Sequence, residues 1–395
     1  MRGGDVRDLT LLNSCENTIH TNEKCCFTAG SGPASAAVAA VLVTMATMTS
    51  FSRGKIILKE YETVGAEASN VPGSHSGCDD SWHAWFDEFK RRFTVSFVKL
   101  TADEAEFDLI GIDAPIANAF RRILIAEVPS MAIEKVHIHN NTTILQDEVL
   151  AHRLGLIPLK ANPLMFEYKG ASEDAGKPED TLQFELKVKC KVDPSAPGDA
   201  TNPSEKYVNS NVYSGSIKFC PYATQEGIYT DDQVGPVHQD ILIAKLRPGH
   251  ELDLKLHAVK GIGRDHAKFS PVATAFYRLL PEVTLTRTVC GEPAERLQSC
   301  FSPGVIKLEM DQSSGEKVAR VGDARYDNCS RNVYRHDDLK DAVVLSKVKD
   351  HFIFSIESVG AQRPEVLFAE AAKVLLRKCE VFINALDEAS NKAKE

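Results

Sequence analysis

One short stretch of the chain carries three side-chain types that hydrolases use. Asp265, His266 and Ser270 lie together in the sequence GIGRDHAKFSPV. A hydrolytic triad needs a base that reaches both the nucleophile and an orienting carboxylate, and closeness in sequence does not supply that geometry. Gly261 and Gly263 also begin a dinucleotide-binding fingerprint, but His266 stands at the third glycine position and no strand–helix unit follows. We therefore interpret the stretch as a structural turn, with a hydrolase as the alternative.

Metal-ligating residues are present but sparsely placed. His137 and His139 fall on one face of a predicted strand and could bind a metal, although a solvated pair is the simpler interpretation. No cysteine pair has C-x-x-C spacing. Cysteines scattered in this way are typical of reduced thiols in the cytosol or nucleus. We predict no metal and no cofactor. The cysteines occupy positions 15, 25, 26, 78, 190, 220, 290, 300, 329 and 379.

The composition is that of a globular protein without a broad basic surface. The chain has 395 residues, 43% of them hydrophobic and 26% charged, which is enough for one or two domains with sizeable cores. Its formal net charge of −9 argues against a protein whose whole surface binds the phosphates of nucleic acid. Local basic patches stay possible.

The clearest element is a helix predicted from Asp113 to Val128. Asp113 is a suitable N-cap, Pro115 is tolerated in the first turn, and Pro129 ends the helix. Apolar residues recur at three- and four-residue spacing and form one stripe, while the arginine pair points elsewhere. The stripe residues are Ile116, Ala119, Phe120, Ile123 and Leu124, and the arginines are Arg121 and Arg122.

Strand patterns dominate the middle of the chain. A strand is predicted at 132–139, and a second helix follows from Gln146 to Leu154 with Gly155 as its C-cap. Apolar and polar residues alternate strictly at 182–190, and similar patterns predict further strands up to Leu256. This interior is therefore predicted to be mostly antiparallel β-structure.

The last third ends in a long amphipathic helix. Residues 290–345 have no regular pattern, and 351–358 alternate as a strand. From Pro364 to Leu386 one face is apolar, and such a face could bind a partner. Its residues are Leu367, Ala371, Val374, Leu375, Phe382 and Leu386.

The first 77 residues have a different composition, rich in Gly, Ser, Thr, Ala and Asn, and are predicted to be disordered. The apolar run at 33–48 is too short to span a membrane, and acidic residues before it argue against a signal peptide, the alternative. The aromatic segment at 82–93 is interpreted as a short helix on a core. An aromatic–basic platform for nucleic acid is its alternative.

Four stretches of the chain carry further information, and in order they read NAFRRILIAEVPSMAIEKV, LQDEVLAHRLGLIPL, VKGIGRDHAKFSPVATAFYRLLP and DHFIFSIESVGAQRPEVLFAEAAKVLLRKCEVF. They resemble one family, the alpha-like subunits of RNA polymerases, and most closely the subunit shared by eukaryotic polymerases I and III. Relatives within the family are the third subunit of polymerase II, the archaeal D subunit and the bacterial alpha N-terminal domain. The resemblance covers roughly residues 82–386 and is weakest between 170 and 237.

The resemblance implies an α+β fold like that of the bacterial alpha N-terminal domain. In that fold a discontinuous dimerisation domain, here residues 78–130 and 270–395, is interrupted by an inserted, mostly antiparallel β domain at 131–269. Residues 1–77 would then be a disordered N-terminal extension.

The resemblance also implies a non-catalytic scaffold subunit that pairs with a smaller alpha-like chain and nucleates polymerase assembly for rRNA, 5S rRNA and tRNA transcription. Its other partners would be the second-largest and largest subunits, it would meet DNA only through the assembled polymerase, and it would contact no membrane. The expected location is the nucleus, including the nucleolus.

A polymerase II third-subunit type is the alternative within the family, and a hydrolase or metal-binding protein is the alternative outside it. The polymerase II relative has a four-cysteine zinc site and some archaeal relatives an iron–sulfur cluster, but only Cys190 and Cys220 fall between 131 and 269 here.

The two amphipathic helices are the implied contact sites. The resemblance places the dimer interface on Ile116, Phe120, Ile123, Leu124, Leu367, Val374, Leu375 and Phe382. It places docking to the second-largest subunit on Arg121 and Arg122.

Overall fold

The computed structural model describes residues 55–66, 87, 89–170, 176–197, 201–229, 233–312 and 315–392. In chain order its strands are β1 (Lys55–Leu58), β2 (Thr63–Val64), β3 (Thr94–Leu100), β4 (Glu104–Ile110), β5 (Pro129–Asn141), β6 (Leu159–Lys160), β7 (Thr181–Lys189), β8 (Lys191–Val192), β9 (Tyr207–Val208), β10 (Asn211–Tyr213), β11 (Lys218–Phe219), β12 (Gly235–Pro236), β13 (Leu242–Lys245), β14 (Glu251–Ile262), β15 (Val272–Leu285), β16 (Ile306–Met310), β17 (Lys317–Val321) and β18 (Val343–Ser358). Its α-helices are α1 (Ala114–Ala126), α2 (Asp147–Gly155), α3 (Pro203–Lys206), α4 (Glu292–Ser299) and α5 (Pro364–Lys392). A search of these residues found no helix with the length and apolar character needed to cross a membrane.

The first large sheet has the order β2-β1-β18-β4-β3, and β15 also pairs with β18. Helices α1 and α5 cover one face of it. Phe107 of β4 stacks on Phe354 of β18 with ring centroids 5.4 Å apart, and both rings are fully buried. Strands from the two ends of the chain thus share one core with the two helices.

The second large sheet has the order β11-β7-β14-β5 and a separate core. The alternation predicted at 182–190 is confirmed, because Leu182, Phe184 and Leu186 of β7 are fully buried while Lys187 and Lys189 are exposed. Helix α2 packs beside β5 and contributes Leu150 and Leu154 to the same core. Both large sheets are antiparallel throughout.

The predicted helices are confirmed, with small shifts at their ends. The Asp113 carboxylate accepts a hydrogen bond from the Ala114 N–H at 2.8 Å, as expected of an N-cap. Gly155 lies inside α2 and Leu156 is the C-cap, so the predicted glycine cap is wrong by one residue. Helix α5 runs past Leu386 to Lys392.

The prediction that residues 290–345 are irregular is wrong. This segment contains α4 and the hairpin β16–β17, and it has its own hydrophobic core, which includes Leu297, Ile306 and Leu339. Its strands are short, and its core joins residues from distant parts of the chain, so no local period reveals them. The strand predicted at 351–358 is the second half of the longer β18.

The predicted disorder of residues 1–77 does not hold for residues 55–66. Strand β1 pairs with β18, from Lys55 opposite Val348 to Leu58 opposite Leu345. Leu58 is buried, and its carbonyl accepts a hydrogen bond from the Tyr334 hydroxyl at 2.5 Å. A short apolar run gains stability here by completing a sheet, which composition alone does not reveal. The remaining residues of this segment lie outside the described part of the chain.

Residues 89–92 form a helical turn at the edge of the first core. Phe89 is buried there and stacks on Phe93 with ring centroids 5.5 Å apart. This agrees with the predicted helix on a core, although residues 82–86 and 88 are not described.

Candidate subunit interface

Most of the side chains predicted to form the dimer interface lie in the core of the chain itself. Seven of them are between 0% and 7% exposed, whereas Phe382 is 63% exposed. A side chain that is already buried has almost no surface left for another chain, so these seven stabilise their own domain. They are Ile116, Phe120, Ile123, Leu124, Leu367, Val374 and Leu375.

The apolar stripes of α1 and α5 pack against each other and against the first sheet. Phe368 of α5 joins the layers, because its ring centroid lies 5.0 Å from that of Phe120 and 4.8 Å from that of Phe107. Such offset and edge-on aromatic contacts add about 0.5–1.5 kcal/mol each beyond the area that they bury. The helices are therefore fixed on the sheet over the length of α1.

The C-terminal part of α5 has no such cover. Every described residue from 380 to 392 is exposed, a segment that we call the α5 overhang. At 1.5 Å per residue the overhang is about 20 Å long. The apolar stripe continues on it at helical spacing from Leu375 and Cys379 to Phe382, Ile383 and Leu386, which are all more than half exposed. Val381 is also more than half exposed but lies on another side of the helix.

An apolar stripe on a projecting helix is a feature of a contact surface. Single exposed apolar residues are normal, but several on one helix form a patch whose exposure to water is unfavourable in free energy. Burying a Phe or Leu side chain gains about 1.5–3 kcal/mol. The overhang can therefore bind another helix or an apolar groove.

The base of the overhang is tied to the end of α1 by an ion pair. The Lys378 Nζ lies 2.6 Å from the Glu127 carboxylate. Both side chains are partly exposed, so we expect this pair to contribute well under about 1 kcal/mol. It orients the helix more than it stabilises the fold.

The two arginines predicted to dock another subunit lie on α1, outside the core. The Arg121 guanidinium donates from Nε and Nη2 to the Asn118 side-chain oxygen, at 3.1 and 2.9 Å. Arg122 is exposed, and so, at 37%, is Ile125 on the following turn. The structure thus gives Arg121 a fixed orientation and leaves Arg122 on the surface.

A partly buried ion cluster on the other face of the first sheet was not found from the sequence. The Arg325 Nε donates to Glu106 at 2.8 Å and its Nη1 to Asp108 at 2.7 Å, and His351 lies 3.1 Å from Asp108. Burial acts to raise the pKa of Asp108, but hydrogen bonds from His351 and Arg325 outweigh it and lower that pKa below its usual value. The cluster fixes the segment around Arg325 on β4.

The residues considered for hydrolysis serve the turn that contains them. The Ser270 hydroxyl donates to the Val272 carbonyl at 3.0 Å, and the His266 Nδ1 accepts from the Lys268 N–H at 3.1 Å. A Cβ on Gly263 would lie 2.2 Å from the Ile125 carbonyl oxygen, so only glycine allows the turn to approach α1 this closely.

Of the two histidines considered as metal ligands, His137 and His139, the first makes a ring contact with a third histidine, His257. The His137 and His257 rings meet edge-on at 4.7 Å between centroids. Burial lowers the pKa of His257, and the charges of His137 and nearby lysines lower it further. Within the residues that the structure describes, no three His, Cys, Asp or Glu side chains are grouped to hold a metal ion.

Comparison with known proteins gives one family and consistent relatives. The family described as RNA polymerase Rpb3/Rpb11 dimerisation domain matches residues 106–379. DNA-directed RNA polymerases I and III subunit RPAC1 of Mus musculus is 52% identical over 335 residues, 85% of this chain and 96% of the relative. The RPAC1 protein of Saccharomyces cerevisiae is 46% identical over 329 residues, 82% of this chain and 96% of the relative. DNA-directed RNA polymerase II subunit rpb3 of Dictyostelium discoideum is 30% identical over 299 residues, 74% of this chain and 94% of the relative.

Proposed function

The chain belongs to the RNA polymerase Rpb3/Rpb11 dimerisation domain family, and from this premise we propose that it is an alpha-like scaffold subunit of RNA polymerases I and III. The support is the 52% identity, over almost the whole relative, to a protein named for those two polymerases. We propose that the chain supplies structure to the polymerase and no reacting group to nucleotidyl transfer.

The proposed architecture is a discontinuous dimerisation domain with an inserted β domain. Strands β3 and β4 precede the second sheet in the chain, and β15 and β18 follow it, yet all four belong to the first sheet. This order supports an insertion bounded by β5 and β14, the two strands that pair at Pro129 and Ile262.

The proposed contact with a smaller alpha-like chain is the α5 overhang. The observation that carries it is the exposed stripe of Phe382, Ile383 and Leu386, which continues from Leu375 and Cys379 of the same helix beyond the first sheet. A second chain with an apolar helix face would cover this stripe and bury the three side chains. The seven buried residues act by holding α5 in position.

Docking to the second-largest subunit is proposed for the outer side of α1. Arg122 is exposed, and the hydrogen bonds from Arg121 to Asn118 hold a second guanidinium beside it. Two cations on a rigid helix suit an acidic surface. In the assembled enzyme the chain would also contact the largest subunit, reach DNA only through the polymerase, and be located in the nucleus and nucleolus.

A polymerase II third-subunit role is the second candidate within the family. The lower identity of 30% to the polymerase II relative, against 52% to the polymerase I and III relative, favours the first. The local hydrogen bonds of His266 and Ser270 give a hydrolase no support.

Affinity purification of the tagged full-length chain from its own source tests the proposal. Mass spectrometry should identify the smaller alpha-like chain together with the largest subunits of polymerases I and III. A Phe382→Asp variant should lose all of them, because an unpaired carboxylate in an apolar contact is costly. Recovery of the polymerase II largest subunit instead would contradict the proposal.

A further inference from the structure

A cavity of about 430 Å³, which we call the β15–β18 cavity, lies where residues 324–329 run beside β15. Arg278 of β15 and Lys347 of β18 line it. The pairing of these two strands shifts in register between Leu279 and Pro281, which also line the cavity. Its volume falls within the range of about 300–1,000 Å³ that is usual for small-molecule sites.

Most of the polar groups that line the cavity are hydrogen-bond donors. The Arg278 guanidinium donates from Nη1 to the Arg325 carbonyl at 2.7 Å, which leaves its other N–H groups for a ligand. The Asn328 side-chain oxygen accepts from the Ser330 N–H at 3.0 Å, which leaves the NH₂ group of that amide. Lys347 adds an ammonium group. Such groups only donate, so they are satisfied by a ligand that offers oxygen acceptors.

Two cations and one carboxyl group face the cavity. Within the part of the chain that the structure describes, neither the Arg278 guanidinium nor the Lys347 ammonium lies within 4.0 Å of a carboxylate oxygen. Asp327 is 7% exposed, and burial raises the pKa of its carboxyl although hydrogen bonds from Cys329 and the charge of Lys347 act to lower that pKa. One carboxyl group does not neutralise two cations. The charge of the cavity therefore favours an anionic ligand.

The backbone that forms one wall is in a conformation that these residue types rarely adopt. Cys329 and Arg331 have φ of 57° and 58°, in the left-handed region that favours glycine. Such conformations persist where the surrounding structure requires them, and they are concentrated at ligand sites. Here they follow directly after Asp327, and three successive side chains, residues 327–329, line the same cavity.

An aromatic ring lies at the rim of the cavity. The Tyr326 side chain lines the cavity and is 59% exposed. Leu279 and Pro281 add apolar surface to the wall. The cavity is also much larger than a phosphate ion. A ligand that fills it therefore has an anionic group for the cations and an apolar ring for the tyrosine, since aromatic side chains stack with bases and other planar rings.

We propose that the β15–β18 cavity binds a small organic phosphate, with the phosphoryl group between Arg278 and Lys347 and a planar ring against Tyr326. A phosphate monoester carries about two negative charges at pH 7 and offers three strong acceptor oxygens, which suits two cations and an amide NH₂ better than a carboxylate does. A nucleoside monophosphate has this chemistry. The inference goes beyond the proposed scaffold function and does not depend on it.

Equilibrium dialysis of the full-length chain at low salt tests the site, with adenosine monophosphate (AMP) as the probe. We expect AMP to bind, adenosine not to bind because it lacks the phosphate, and inorganic phosphate to bind more weakly than AMP because it lacks the ring. Absence of AMP binding at millimolar concentration would overturn the inference. Citrate that competes with AMP at equal affinity would also overturn it, because the site would then be one for carboxylates.

Substitution of the lysine separates this site from the overall charge of the chain. Lys347→Met should raise the Kd for AMP about tenfold, because a hydrogen bond to a charged group is lost, whereas Lys347→Arg should keep the affinity within about threefold. The matched control is Lys349→Met, since Lys349 lies two residues away on β18, is also partly exposed and does not line the cavity. Equal losses from Lys347→Met and Lys349→Met would contradict the inference.

Two further variants keep the test decisive if Lys347→Met does not fold. Tyr326→Ser changes an exposed side chain, and it should raise the Kd for AMP about tenfold and leave the Kd for inorganic phosphate unchanged. Asp327→Asn should lower the Kd for both probes, because it removes a negative charge close to the bound phosphate. A higher Kd after Asp327→Asn, or an equal effect of Tyr326→Ser on both probes, would overturn the inference. The proposed scaffold function does not use the cavity and would stand in either case.

Discussion

The two halves of α5 carry the same kind of apolar stripe but do different work. In the first half Leu367 and Leu375 are 0% and 4% exposed against the first sheet, whereas in the second half Phe382 and Leu386 are 63% and 54% exposed. The spacing is continuous, and no glycine or proline marks the change. The two halves differ in exposure because the first sheet and α1 cover only the first half. An apolar stripe in the sequence therefore does not tell whether its own chain or another chain covers it.

The largest expected effect is on the buried half. Leu367→Ala should lower the free energy of unfolding by about 2–5 kcal/mol, because a fully buried leucine leaves a cavity that its neighbours fill only in part. Urea unfolding of the full-length chain measures this. The matched change Leu386→Ala should cost less than about 0.5 kcal/mol. Equal losses from both changes would show that the overhang is part of the core.

The face of the first sheet opposite to α5 is held by the ion cluster around Arg325. Arg325→Met should lower the free energy of unfolding by about 2–3 kcal/mol, because it removes the cation that binds both Glu106 and Asp108. This is less than for a fully buried pair, since the Glu106 side chain is 33% exposed. Thermal unfolding measures the loss, and Arg320→Met is the control, since the Arg320 side chain in its pair with Glu309 is 68% exposed. A variant as stable as the wild type would show that the cluster does not fix the segment around Arg325.

Substitutions in the exposed second half of α5 should affect binding to the partner and not the stability of the fold. Phe382→Ala should raise the Kd for the smaller alpha-like chain about 30-fold, equivalent to about 2 kcal/mol, and leave the free energy of unfolding unchanged. Val366→Ala is its control, because Val366 is 40% exposed on the first half of α5. If Val366→Ala weakened binding as strongly as Phe382→Ala, the contact would not be confined to the overhang.

The smallest effect is expected at the boundary between the halves. Lys378→Ala removes the exposed pair with Glu127 and should change the free energy of unfolding by less than about 1 kcal/mol. Chemical denaturation measures it. A loss comparable to that of Leu367→Ala would mean that the pair, and not the core, holds α5 in place.

The sequence predicted the helices well because their signals are local. Asp113, Pro129 and Pro364 mark helix ends through their own backbone chemistry, and the structure agrees with them to within a few residues. The resemblance likewise identified the family, because its motifs are continuous strings.

What the sequence could not predict depends on contacts between distant residues. Phe120 and Phe382 have the same type and helical setting, yet their exposures are 4% and 63%. Arg325 meets a partner 219 residues away in the chain, and β1 is ordered by pairing with β18. No period or motif encodes such neighbours.

Truncation of the overhang tests the central claim most directly. A chain that ends at Cys379 keeps every residue of the first core and loses the exposed stripe. It should unfold at nearly the same temperature as the full-length chain and show no measurable binding to the smaller alpha-like chain. Wild-type affinity in a folded truncated chain would contradict the account, because the partner would then bind a surface other than the overhang.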